Sequence, residues 1–187
     1  MEEVLTFKDA AQWEAWLASH HAQADGVWVK VSKKGSAKKS ITVPEAGDVA
    51  LCYGWIDSVR RSFDDDYFLQ KYSRRRPNGS WSKVNVDRIG ALMAAGRLRA
   101  PGLAEVSAAK ADGRWEAAYE SQKNATVPPD VKAALKANQP AKHAFDQLGK
   151  TERYLMILPL LKALTPKARA ARLQKMIDRL APPSAGR

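Results

Sequence analysis

The residues in this sequence best equipped for chemistry are cations. Arg60, Arg61, Lys71, Arg74, Arg75, Arg76, Lys83 and Arg88 fall in one stretch that also carries Tyr72 and Trp81. Arginine offers a planar fork of donors that matches phosphate or carboxylate. Aromatic rings set among cations also match the platforms on which single-stranded nucleic acid stacks. A helix opening at Ser80 would add free N–H groups and the positive end of its dipole. Strand alternation places Tyr72, Arg74 and Arg76 on one face and Arg75 on the other. The expected site therefore comprises Tyr72, Arg74, Arg76, Ser80, Trp81 and Lys83, and its expected ligand is an anionic small molecule or a phosphate group. The same residues also fit a plainer arrangement, in which Trp and Tyr fill the core and the arginines pair with Asp64, Asp65 and Asp66 or with water.

Other chemistries find less support. The three histidines, His20, His21 and His143, lack metal-ligand spacing, and Cys52 is the one cysteine. Asp64-Asp65-Asp66 reads as a solvated turn, because neighbouring carboxylates there diverge. No Gly-x-Ser-x-Gly is present, and no Gly-x-Gly-x-x-Gly; KKGSAKK at 33–39 lacks the spacing of a P-loop. No catalytic set, cofactor or metal is expected. Cys52 reads as a buried structural thiol without a nearby histidine to activate it.

The elements that must position these groups follow from pattern. Asp9 or Lys8 starts a helix through His20 with Trp13, Trp16 and Leu17 on one face. Val27, Val29 and Val31 form one face of a strand, Trp28 and Lys30 the other. Thr42-Val43-Pro44-Glu45 is a capping box opening a helix to about Tyr53. Residues 57–63 and 67–76 alternate as a hairpin around the Asp turn, with Val59 and Phe63 together on one face. Helices are expected at about 80–95 and 101–111, and Trp115 with Tyr119 on a further turn. In the C-terminal part, helices are expected near 129–137, 140–148, 151–164 (kinked or interrupted at Pro159) and from a Thr165 cap and Pro166, the last with Leu173, Met176, Ile177 and Leu180 as a stripe. Leu155, Leu158 and Leu161 are expected to be buried alongside it. The class is α+β: a small antiparallel β-sheet packed with helices, followed by a helical C-terminal part. The division is a core at 1–125, a helical region at 126–181 packed on it, and a disordered tail at 182–187.

With 187 residues and 45% hydrophobic content the chain can bury a full core. A net charge of +11 favours anionic partners. MEEVLTFKDAAQWEAW lacks the features of a signal peptide, and no apolar run reaches the ~20 residues that span a bilayer. A cytoplasmic protein with no membrane span is expected; the oligomeric state is left open.

GVWVKVSKKGS at 26–36, EAGDVALCYGWIDS at 45–58 and YFLQKYSRRRPNGSWSKVNVDRIGALMAAGRLRAPGLAEV at 67–106 resemble the YdeI/OmpD-associated family, known as bacteriocin-protection proteins. ADGRWEAAY at 111–119 and the run from Phe145 to Leu180 fit the same pattern, so the resemblance covers nearly the whole chain. Its most specific parts are Gly54-Trp55-Ile56-Asp57 and Arg75-Arg76-Pro77 followed by Trp81-Ser82-Lys83. It implies a role in stress or bacteriocin tolerance and supplies no catalytic residue. The leading reading is a non-catalytic protein that binds an anionic ligand. The alternatives are a nucleic-acid-binding protein, which would bind in a steeply salt-dependent way, and an enzyme acting on a small anionic substrate, which would hold Asp57 in a deep pocket.

Overall fold

The computed structural model describes residues 4–23 and 25–181, so the expected tail at 182–187 lies outside the described residues. The chain divides into two compact units, Met1–Gly79 with Asn85–Trp115, and Ser80–Val84 with Glu116–Arg187.

The first unit contains β1 (Val4–Thr6), α1 (Ala10–His20), β2 (Gly26–Ser32), α2 (Val43–Cys52), β3 (Trp55–Ser62), β4 (Tyr67–Arg74), most of α3 (Lys83–Ala94) and α4 (Ala100–Ala111). The helix starts follow local chemistry. The Asp9 carboxylate accepts from the Gln12 N–H at 3.0 Å. Thr42 and Glu45 exchange the two bonds of a capping box.

The strands form one sheet in the order β1-β2-β4-β3. β1 runs parallel to β2, so the sheet is mixed, and the other pairs are antiparallel. Val27, Val29 and Val31 stand opposite Tyr72, Gln70 and Phe68. Val27, Val29, Val31, Gln70 and Tyr72 are buried. Trp13 of α1 covers this face, its ring 5.6 Å from Tyr72 and 6.3 Å from Trp55, while its indole N–H donates to the Ala46 carbonyl of α2 at 3.1 Å.

A bulge interrupts β3. Ser58 and Val59 together stand against Lys71, between the pairs Asp57–Tyr72 and Arg60–Gln70. The simple alternation expected for β3 is therefore broken at Ser58–Val59 and resumes at Arg60, and Val59 is 48% exposed.

The second unit contains α5 (Pro129–Ala137), α6 (Gln139–Gln147), α7 (Lys150–Leu161) and α8 (Pro166–Leu180). Val131, Leu135, Ala141, Phe145, Ile157, Leu160, Met176 and Ile177 make one buried cluster, with Leu173 and Leu180 packed against it. Asp130 and Arg169 clasp α5 to α8 through two bonds of 2.6 and 2.8 Å. This hydrogen bonding holds the Asp130 carboxyl below its ordinary range, and Arg169 above its own.

Three expectations are corrected here. α7 is not interrupted at Pro159 and stops at Leu161. Leu155, expected to be buried, is 59% exposed. Trp115 and Tyr119 do not share a helix: residues 112–117 form turns, and Tyr119 makes a parallel bridge to Ser82.

Two predictions come from this packing. A chain ending at Gly149 would lack Ile157, Leu160, Met176 and Ile177, each worth about 1.5–3 kcal/mol of burial against a total stability of about 5–15 kcal/mol. It is expected to be insoluble or molten by near-UV circular dichroism and calorimetry; a sharp transition like that of the whole chain would disprove this. The second concerns Gly102 of α4, where an added Cβ would run into the Cys52 carbonyl. Helix propensity alone would favour alanine by about 1 kcal/mol, but a collision with backbone costs about 1–3 kcal/mol or more. Gly102→Ala should therefore lower the melting temperature by several degrees, and an unchanged or higher value would show that α4 can shift.

Candidate functional site

β4 ends at Arg74, before the alternation can carry Arg75 to the opposite face. Beyond the last strand pair, Trp55 with Arg74, the Arg75 amide donates to the Gly54 carbonyl at 3.1 Å. Pro77 lacks an N–H and closes the run. Asn78 takes a positive φ of 61°, and the Gly79 amide returns to the Arg76 carbonyl at 3.0 Å. Buried Arg114 fixes this turn, donating to the Gly79 carbonyl at 3.1 Å while its Nε contacts Asp112 at 2.7 Å.

As a result Arg74, Arg75 and Arg76 all line one cleft of about 610 Å³, together with His21, Tyr53 and Glu105. The sequence pattern had separated Arg75 from the other two; strand termination brings the three together. Arg74 is half exposed and paired with Asp25 at 2.5 Å, and it donates to the Ala22 carbonyl at 3.3 Å.

His21 was passed over in the sequence because it has no metal-ligand spacing. It caps the C-terminal end of α1, with Nδ1 3.0 Å from the Leu17 carbonyl. A carbonyl only accepts, so Nδ1 carries the hydrogen, and Nε2 of a neutral ring is an acceptor. The signal that could have found it is its position at a helix end, where a cation or a ring N–H meets unsatisfied carbonyls.

The other expected site residues lie elsewhere. Tyr72 is fully buried against Trp13, so its ring cannot stack on a ligand in the cleft. Burial, with the nearby Asp57 carboxylate second, pushes its phenol pKa up. Ser80, Trp81 and Lys83 belong to the second unit. The helix expected from Ser80 begins at Lys83, because Ser80–Ser82 is extended beside Tyr119. The Tyr119 amide donates to the Trp81 carbonyl and the Lys83 amide to the Tyr119 carbonyl, both at 2.9 Å. The Ser80 amide therefore does not lie at a helix N-terminus, and Trp81 is buried.

The remaining cations have distinct partners. Arg88 binds Asp48 and the Pro44 carbonyl across a second cleft of about 560 Å³ along α2 and α3. Arg60 bonds Gln70 at 3.0 Å and lies over Phe68. The basic loop docks on the acidic turn: Lys38 contacts Asp66 at 2.8 Å, Ser36 donates to Asp66 at 2.9 Å, and Lys33 reaches the Asp64 carbonyl. These bonds lower the Asp66 pKa, with the Lys38 hydrogen bond the largest cause. Asp57 is exposed and does not line the arginine cleft. Among the described residues no cluster of three His, Cys, Asp or Glu side chains could hold a metal ion, and no helix is long and apolar enough to cross a membrane.

Comparison with protein families gives two matches. Residues 5–105 match the model of a domain of unknown function (DUF8412). Residues 124–182 match the model described as bacteriocin-protection, YdeI or OmpD-associated. The motifs at 26–106 that carry the sequence resemblance thus fall almost wholly within the first match, and the run from Phe145 to Leu180 within the second. No curated protein and no solved structure matches the chain.

Cys52 is buried at the end of α2, and burial raises its thiol pKa, opposed by the weaker pull of Arg97. Both inaccessibility and the scarcity of thiolate slow alkylation. Native protein at neutral pH should react with a maleimide or Ellman's reagent far more slowly than denatured protein. Equal rates would place the thiol at the surface.

Proposed function

The chain belongs to a family defined by a domain of unknown function (DUF8412) and carries a C-terminal region of the YdeI/OmpD-associated family, and from that premise we propose that its first unit binds a small anionic ligand without transforming it. The observation that carries this reading is the lining of one cleft by three consecutive arginines. Their forks suit a phosphate or carboxylate group. Ligand access would draw Arg74 from Asp25, an exchange of one carboxylate or phosphate for another. Glu105 also lines the cleft and disfavours a ligand with negative charge at its far end. A role in bacteriocin tolerance reaches the chain through the C-terminal family's description. A reducing cytoplasmic setting suits its single, buried cysteine.

The test is calorimetric titration of phosphate and nucleotides, at two salt concentrations, into wild type, Arg74→Ala/Arg76→Ala and Asp25→Asn. Charge-assisted hydrogen bonds contribute about 1.5–3 kcal/mol each, so the double variant should bind at least about tenfold more weakly. Asp25→Asn, which releases Arg74, should bind more tightly. Equal binding by wild type and the double variant would remove the site from this cleft, and absence of binding by wild type would end the proposal for these ligands.

A further inference from the structure

We infer that the cleft along α2 and α3 in the first unit binds a small aliphatic monocarboxylate, such as a medium-chain fatty acid. This cleft shares no lining residue with the arginine cleft, and the two ligands differ in chemistry.

The floor of the cleft is apolar. Ala91 and Ala95 lie one turn apart where α3 ends, joined by the Ala95 amide to the Ala91 carbonyl at 3.0 Å. Their short side chains leave room beside buried Leu92. Val43 and Pro44, in the first turn of α2, line the cleft with them. Among the described residues no aromatic ring lines it, so a flat ligand finds nothing to stack on.

Two arginines bring charge to this floor, in different states. Arg88 lies against α2, where Gly47 leaves it space: a Cβ there would meet the guanidinium at 3.0 Å. Its Nε donates to Asp48 at 3.0 Å and its Nη2 to the Pro44 carbonyl at 2.9 Å. Arg88 and Asp48 are therefore neutral in sum. Arg97 reaches the cleft from beyond the helix. Gly96, at a φ of 66°, ends α3, and the Arg97 amide turns back to the Leu92 carbonyl at 2.9 Å. The half-buried Arg97 side chain then lines the cleft. Among the described residues it has no carboxylate partner, whereas Arg88 has Asp48 and Arg99 has Glu14.

These charges choose the ligand. Arg88, Asp48 and Arg97 sum to a single positive charge, which one carboxylate balances. A phosphate dianion or a nucleotide would bring surplus negative charge toward Asp48. A wholly apolar molecule would leave the Arg97 fork without an acceptor. A carboxylate on Arg97 with an alkyl tail along Ala91, Leu92 and Ala95 uses both halves of the lining. The volume of about 560 Å³ lies within the ~300–1,000 Å³ common for small-molecule sites.

The experiment is a titration of sodium octanoate into the full chain, labelled with nitrogen-15 and followed by amide NMR shifts. Octanoate should shift Val43, Ala91, Ala95 and Arg97 along one saturable curve. Acetate lacks the tail and octanol lacks the charge, so each should bind at least about tenfold more weakly. Arg97→Gln should weaken octanoate binding at least about tenfold. Ala91→Glu should do the same, because it adds a competing carboxylate at an exposed helical position where glutamate is a good helix former. Thermal transitions identify any variant that fails to fold, and either variant alone decides. Excess inorganic phosphate should not displace octanoate. The inference is overturned by no saturable shift with octanoate, by shifts centred on Gly54, Arg75 and Arg76 instead, or by acetate or octanol binding as tightly as octanoate. Displacement by phosphate, or unchanged affinity in a folded Arg97→Gln or Ala91→Glu variant, overturns it equally.

Discussion

Tyr72 sits between Val27 and Asp57 across the sheet, with Trp13 5.6 Å from its ring. That buried seat sets the register of the three longest strands. A slip of one residue would send Lys71 into the core and Tyr72 to solvent, at the cost of a buried charge and an exposed ring. Gln70, one rung away, reinforces the same register. It is buried, and its amide is satisfied by Arg60 at 3.0 Å and by the Val59 carbonyl at 3.2 Å. The second bond exists because the bulge brings the Val59 carbonyl within reach. The bulge and the buried glutamine therefore support one another.

The register also sorts the cations. Lys30 and Lys71 face outward because Val29, Val31, Gln70 and Tyr72 face inward. Arg74 is the last residue of β4, so the arginines after it leave the pleat and turn toward one cleft. An unbroken strand through Arg76 would have divided them between two faces. Their convergence comes from Pro77, the positive φ of Asn78 and the Arg114 bond to Gly79, all of which act after the strand has stopped.

This explains what the sequence could reveal. Caps at Thr42 and Thr165 were legible because each needs only neighbours within one turn. The alternation of β2 and β4 was legible because one face is buried. The break in β3 was not, since a bulge depends on the partner strand's buried Gln70. Ser80 resembled an N-cap, but Tyr119, distant in sequence, claims the backbone of Trp81 and Lys83 and holds the segment extended. Tyr72 was assigned to a ligand because strand periodicity tells which residues share a face, and not whether a helix covers that face. His21 joins the arginines only through the fold, and no local spacing records it.

The cleft's two walls differ in stiffness, which bears on what it can select. On one side α4 is locked to the end of α2 by backbone. The Arg99 amide donates to the Cys52 carbonyl at 3.1 Å, and Gly102 packs against the same carbonyl. Gly54, at a φ of +73°, lets Pro101 and Glu105 approach so closely that a Cβ would lie 3.2 Å from the Pro101 carbonyl oxygen. No rotamer change can relieve a contact between main chains, so this wall keeps its shape. The other wall is made of arginine side chains, and Arg74 is anchored through a carboxylate that is itself 95% exposed. An exposed ion pair of this kind is weak and readily exchanged. A ligand entering the cleft would therefore meet a rigid surface around Gly54 and Glu105 and a movable set of donors opposite. Its size would be limited by the first and its charge read by the second.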